Sequence, residues 1–211
     1  LAGICCTANE IMMRHGIPLA GSYMQQELAI MTGVVDLMVV DVQCVWPGLE
    51  STAKCFHTKL VTTSPKAKMP GFEHVEFHED KAVVTAREIL ERAIDNFPNR
   101  NGHKEYIPDV SSGVVAGFTT ESVFKFLGGT YRSTYRPLND AVIDGRLRGA
   151  AGVIGCSNPN MEYEQGHLTI VKELLANDVL VVSTGCNSIT CAKHGLMTPE
   201  AAFQYAGQGL Q

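Results

Sequence analysis

Short aliphatic and β-branched runs alternate along the chain with stretches whose apolar positions recur at helical spacing. The runs are Ile17–Ser22, Leu37–Val40, Lys59–Thr63, Gly113–Gly117, Gly152–Ile154 and Val179–Ser183, preceded by a truncated one before Cys5. Between them Ala8–His15, Tyr23–Met31, Leu49–Phe56, Lys81–Asn96, Thr120–Leu127, Leu138–Asp144 and Glu164–Ala176 carry the helical period. Strand–helix alternation of this kind predicts an α/β protein with a parallel sheet of βαβ units, doubly wound in style. The alternation stops between Phe97 and Asp109, in FPNRNGHKEYIPD, a polar stretch with two Pro and one Gly. Such a stretch reads as a boundary. It divides the chain into 1–100, the C-terminal part of a first Rossmann-like domain, and 101–211, the N-terminal part of a second. The opening LAGICCT has no initiating Met and reads as a strand end, so the chain is expected to be an internal piece of a longer protein.

Composition narrows the class. Hydrophobic residues make up 45% and charged residues 18% of 211 positions, enough apolar material for a packed core and against disorder. A net charge of −5 and a pI near 5.8, with no long Lys/Arg run, leave no electrostatic footprint for nucleic acid. No stretch reaches the roughly 18–20 consecutive apolar residues of a membrane span, and no signal segment opens the chain. A soluble, cytoplasmic protein is expected. Seven cysteines, an odd number thinly spread, argue against a disulfide framework and for metal ligation.

The positions of those cysteines matter more than their number. Cys6 follows LAGIC, Cys44 follows LMVVDVQ, Cys156 follows GVIG and Cys186 follows VLVVSTG. Each stands just past the carboxyl end of an expected strand, where open α/β sheets gather ligand-binding residues. Separations of 38, 112 and 30 residues exclude a compact CxxC pair, so any shared metal would be held by four distant loops. Thiolates suit iron–sulfur chemistry, and Gly155 and Gly185, each directly before a cysteine, allow close backbone approach to inorganic sulfur. The plainer alternative is four buried thiols acting as small hydrophobes. Cys55 and Cys191 fall in helical patterns that favour packing, and spacing alone does not choose Cys6 over Cys5.

The stretches ICCTANEIMMRHGIP, QELAIMTGVVDLMVVDVQC, KCFHTK, IGCSNPN, VLVVSTGCNS and KHGLMTPEAAFQYAGQGL together resemble the catalytic subunit of anaerobic nickel–iron carbon monoxide dehydrogenases, from Leu1 to the C-terminus. The resemblance implies a nickel–iron–sulfur cluster of the C-cluster type, held between two Rossmann-like domains. By motif, Cys6 resembles the thiolate on the cluster's unique iron, which settles the choice over Cys5. Cys44, Cys156 and Cys186 resemble the ligands of the other three irons. A His ligand would lie upstream of Leu1 and a nickel-binding Cys beyond Gln211. Further 4Fe-4S clusters would sit in an N-terminal part not included here, so this piece alone is expected to be inactive. The implied reaction turns CO and water into CO2, two protons and two electrons, which pass to a ferredoxin-like carrier. A homodimer is implied, with acetyl-CoA synthase or a hydrogenase as further partners.

Other residues invite plainer readings. His15, before Gly16, suits a helix C-terminus. His57, His74, His78, His103 and His167 lie in settings where solvated side chains are the default. Cys191 and His194 share a helix, but their spacing recurs by chance, and Trp46 is read as packing rather than lining a gas channel. No Gly-rich phosphate loop follows any strand. Two rivals remain: a hybrid-cluster protein of the hydroxylamine reductase type, and a non-catalytic α/β remnant without a cluster.

Overall fold

The computed structural model describes residues 1–6, 12–41, 43–100, 105–111 and 113–211. In chain order its elements are β1 (Gly3–Ile4), β2 (Leu19–Gly21), α1 (Gln26–Met31), β3 (Leu37–Val39), α2 (Leu49–Ala53), β4 (Lys59–Thr62), β5 (Glu73–His74), α3 (Ala82–Asn96), α4 (Thr120–Arg132), α5 (Arg136–Ile143), β6 (Gly149–Ile154), α6 (Gln165–Ala176), β7 (Val179–Thr184), α7 (Gly185–Lys193) and α8 (Ala201–Tyr205). Every described strand pair is parallel: β1 with β2, β3–β4–β5 in that order, and β6 with β7. The α/β class with parallel sheets is therefore as the alternation implied. Chain contacts gather into two compact units, Met24–Val110 and a discontinuous one of Leu1–Tyr23 with Ser111–Gln211.

In the Met24–Val110 unit the alternating residues of β3 and β4 close over α1 and α2. Ile30, Met38, Val40, Leu49, Ala53 and Leu60 form the buried cluster, with Val35, Val45, Phe56 and Phe72 packed around it. Burying an aliphatic side chain of this size contributes about 1.5–3 kcal/mol. A polar knot fixes the far end of the sheet. Arg100 donates to both Asp36 carboxylate oxygens at 2.7 Å, His57 Nε2 lies 3.0 Å from Oδ1, and Asn96 Nδ2 donates to the Asp36 and His57 carbonyls at 2.7 Å. The Arg100 fork holds the Asp36 carboxyl below the usual carboxylate range, outweighing the opposing effect of burial. His57 is thus not solvated as its polar surroundings suggested; its side chain is 2% exposed because Asp36 supplies a partner.

That depressed pKa sets a pH dependence. The pairing stabilises the fold above the unfolded carboxyl pKa of about 3.9 and is lost as pH falls through the lower folded value. Asp36→Asn is expected to lower hydrogen-exchange protection of the α3 amides at neutral pH and to abolish the further fall that the wild type shows as pH drops through the Asp36 pKa. Unchanged protection in the variant would contradict it.

In the other unit β6 and β7 pair in register over six positions, from Gly149↔Val179 to Ile154↔Thr184. Near the C-terminus, the Gly209 amide donates to Asp178 Oδ1 at 2.8 Å, and a Cβ on Gly209 would collide with the Arg146 carbonyl.

Local patterns misled in a few places. Gly113–Gly117 is not a strand; Val115 N donates to the Met197 carbonyl at 2.7 Å instead. β5 was not foreseen, since two polar residues, Glu73 and His74, carry no hydrophobic alternation. α4 runs past Leu127 to Arg132 through a break at Gly129, whose φ is 69°. Of the helix expected over 8–15, only Met12–His15 lies among the described residues, as a 3-10 turn that ends in an exposed His15. His103 lies outside the described residues.

Candidate metal centre

Because β6 and β7 are parallel and in register, their carboxyl ends stop level, at Ile154 and Thr184. Gly155 and Gly185 then turn the chain side by side with φ of 134° and 68°, conformations that side chains resist. Cys156 and Cys186 follow, each two residues past a strand end. The two turns are tied together: Asn187 N donates to the Gly155 carbonyl at 3.2 Å, and Asn187 Nδ2 donates to the Val153 carbonyl at 2.8 Å and Ser183 Oγ at 2.6 Å.

Cys6 joins them. It stands two residues past β1, on a helical turn opened by Cys5. A Cβ on Gly185 would lie 3.5 Å from Cys6 Sγ and 3.9 Å from the Gly155 amide nitrogen and carbonyl oxygen. The sulfur therefore rests against bare backbone of the turn that carries Cys186. Three of the four sequence-chosen cysteines thus have their loops gathered in one unit. Among the described residues, no three His, Cys, Asp or Glu side chains form a single-ion site. Cluster thiolates each take a different iron, so their sulfurs need not crowd as the ligands of one ion do.

Cys44 belongs to the Met24–Val110 unit. It follows β3 with φ of 55°, a left-handed conformation unusual for a side chain other than Gly, Asn or Asp. Gln26, buried on α1, donates from Nε2 to the Cys44 carbonyl at 2.7 Å. At the start of the same loop the Asp41 carboxylate accepts from Thr63 N and Ser64 N at 2.8 Å and from the Thr63 hydroxyl. Side chains thus hold both ends of the segment from Asp41 to Cys44, as ligand loops require.

Cys186 stands at the amino end of a helix. It is fully buried and lies in the first turn of α7, where backbone N–H groups and the helix dipole stabilise negative charge. Cys191 on the same helix differs. It is 3% exposed, and burial pushes its thiol up to about 11, so it stays protonated and packs, as its helical position suggested. Cys55 sits exposed in the turn after α2, its Sγ 3.7 Å from the Ser51 carbonyl, rather than packed as its helical pattern suggested. Trp46 is 37% exposed.

The residues after the two paired cysteines also suit an iron–sulfur group. Among the described residues Ser157 Oγ is buried without a hydrogen-bond partner, and a serine hydroxyl can donate to inorganic sulfide. Within this unit, three thiols, glycine-bare turns and a spare hydroxyl donor fit such a cluster better than a hard oxygen-ligated ion.

Around this centre lie residues that, His194 apart, spacing did not single out. Tyr163 OH and Ser22 Oγ are 2.6 Å apart, Tyr23 OH donates to the Ser157 carbonyl at 2.5 Å, and buried Glu164 pairs with Lys193 and His194. Burial pushes the Tyr163 phenol up to about 12, although its bond with Ser22 opposes the shift. His194 is engaged by Glu164 and does not form the Cys191–His194 metal pair considered above. No sequence motif marks these residues; only the meeting of distant loops does.

Residues 1–210 match the Prismane/CO dehydrogenase family. The chain belongs to that family. It is 51% identical over its whole length to carbon monoxide dehydrogenase 1 of Methanosarcina mazei, of which it covers 33%. Among solved structures it resembles carbon monoxide dehydrogenase IV of Carboxydothermus hydrogenoformans, with a TM-score of 0.90 and 47% identity, covering all of this chain and 33% of that one. It also resembles an acetyl-CoA synthase/carbon monoxide dehydrogenase described with NiZn[Fe4S4] and NiNi[Fe4S4] clusters in its alpha subunits, with a TM-score of 0.91 and 42% identity, over 100% of this chain and 32% of that one. The chain therefore spans about a third of the length of the family members it matches. Among the described residues no helix is long and apolar enough to cross a membrane.

Proposed function

We propose that the full protein carrying this chain oxidises CO with water to CO2, two protons and two electrons at a nickel–iron–sulfur cluster. The observation that carries the reading is the convergence of the Cys6 sulfur and the glycine turns before Cys156 and Cys186 at level, parallel strand ends. Relatives named carbon monoxide dehydrogenase at 40–51% identity over the whole chain support the activity. They favour it over the hybrid-cluster alternative.

In this reading Cys6 holds the unique iron, and Cys44, Cys156 and Cys186 hold the other three. When bound, the cluster supplies Lewis-acid and redox chemistry to CO and water. The chain's own residues keep the thiolates in place. The first turn of α7 stabilises the charge on Cys186, the glycine turns let backbone approach sulfide, and the Ser157 hydroxyl is available to donate to it. Gln26 and Asp41 hold the Cys44 loop. The chain then supplies parts of two Rossmann-like domains, 1–100 and 101–211, in a cytoplasmic homodimer. Additional 4Fe-4S clusters elsewhere in the protein pass electrons to a ferredoxin-like carrier, and acetyl-CoA synthase is a candidate partner.

Metal and sulfide analysis of the full protein, produced anaerobically with nickel and assayed for CO-dependent dye reduction, tests the proposal. Nickel with iron and sulfide, and CO oxidation, are expected. Iron without nickel would favour the hybrid-cluster alternative, and no metal would favour the remnant.

A further inference from the structure

We infer that Glu164 is a positioning residue for the thiolates of Cys156 and Cys186; the inference rests on the ligand assignment proposed above. Glu164 ends the segment that leaves Cys156 and stands at the entrance to α6. Its side chain is 3% exposed, and its carboxylate receives Lys193 Nζ on both oxygens at 2.9 Å and His194 Nε2 at 3.1 Å. Lys193 and His194 close α7, the helix that Gly185 and Cys186 open. One buried carboxylate therefore ties the far end of the Cys186 helix to the end of the Cys156 loop.

The backbone bears the same interpretation. Glu164 has φ of 67°, a left-handed conformation in which glycine or asparagine is the cheaper choice. A glutamate there puts a charged group within reach of Lys193 that neither of those residues could supply. Burial alone would raise its pKa, yet Lys193 and His194 hold it below the usual carboxylate range, so it stays ionised in the pair. Neighbouring contacts brace the same loop. Tyr23 OH holds the Ser157 carbonyl, Tyr163 OH bonds with Ser22 Oγ, and Lys193 Nζ lies 5.0 Å over the Tyr163 ring. The loop that follows Cys156 is pinned at its first residue, Ser157, and again at its end, Glu164.

A buried ion pair contributes little net stability compared with an apolar pair of the same shape, so stability alone is a poor reason for this one. Fixing the orientation of ligands is a better one, because potential and spectrum of an iron–sulfur group respond to small displacements of its thiolates.

The test compares wild type, Glu164→Gln, Lys193→Ala and the charge-swapped pair Glu164→Lys with Lys193→Glu, all in the full protein produced anaerobically with nickel. Iron and nickel content, the electron paramagnetic resonance signal, its midpoint potential and kcat for CO oxidation are read for each. Glu164→Gln is expected to keep its metal, shift the signal and potential, and lower kcat about tenfold or more, within the range outer-shell changes produce. Lys193→Ala, which leaves His194 on the carboxylate, is expected to shift the same observables in the same direction and by less. The swap is expected to move them back towards wild type. A metal-loaded Glu164→Gln with wild-type signal and potential overturns the inference. Should that variant not fold, an unshifted Lys193→Ala overturns it instead. A wild type lacking cluster iron would overturn the ligand assignment itself, a distinct result.

Discussion

Cys186→Ala and Cys156→Ala in the full protein are each expected to abolish CO oxidation and to lower iron per chain, whereas Cys191→Ala and Cys55→Ser keep both. The contrast follows from where the four thiols sit. Cys156 and Cys186 stand two residues past level strand ends, each after a glycine turn, and the Cys6 sulfur lies beside the Gly185 backbone. Cys191 is sealed in the same helix with its thiol pushed up to about 11, and Cys55 is solvent-exposed in a turn. A thiol held protonated cannot serve as a thiolate ligand without loss of that proton. Removing the buried Cys191 sulfur leaves a small void, which costs about 1 kcal/mol and should appear in the melting temperature rather than in iron content. Iron analysis with a CO oxidation assay on the four variants checks this. Full activity in both Cys156→Ala and Cys186→Ala would contradict the ligand assignment.

Asn187→Ala is expected to be among the most destabilising single changes in the unit that carries Cys6, Cys156 and Cys186. Its side chain is fully buried, and its amide donates to a β6 carbonyl and to the Ser183 hydroxyl of β7. Truncation removes two hydrogen bonds and strands their acceptors away from water, at about 1–3 kcal/mol each. The loss falls at the joint that keeps the two cysteine turns level, so iron occupancy should fall with the thermal midpoint. Asn187→Asp keeps the volume but loses the donors, and should behave like Ala rather than like wild type. Melting curves and iron content on both variants decide the matter; an unchanged midpoint in Asn187→Ala would show that the two bonds do not hold the joint.

How much of this was visible beforehand depended on whether a signal was local. The runs at Leu37, Lys59 and Val179 are β-branched or aliphatic and bounded by polar residues, so period and propensity agree, and strands form there. β5 has no such signal, because it is two polar residues added beside β4. Gly113–Gly117 has the composition of a strand, but Val115 bonds to Met197 instead of entering a ladder. Strand formation requires a neighbour, and the neighbour is not written in the segment itself. His57 follows the same rule: its local context is polar, and Asp36, distant in sequence, supplies a buried partner.

The sequence by itself determined the α/β class and which four cysteines stand past strand ends, because hydrophobic period and glycine placement are properties of short segments. Family resemblance in the same residues chose Cys6 over its neighbour. Tertiary structure decided the rest. It set the register that levels Gly155 with Gly185, laid the Cys6 sulfur against that bare backbone, and joined Glu164 to Lys193 and His194 across some thirty positions. Those are meetings between distant segments, fixed by how the strands pair and what each contact excludes from water, and no short window of residues encodes them.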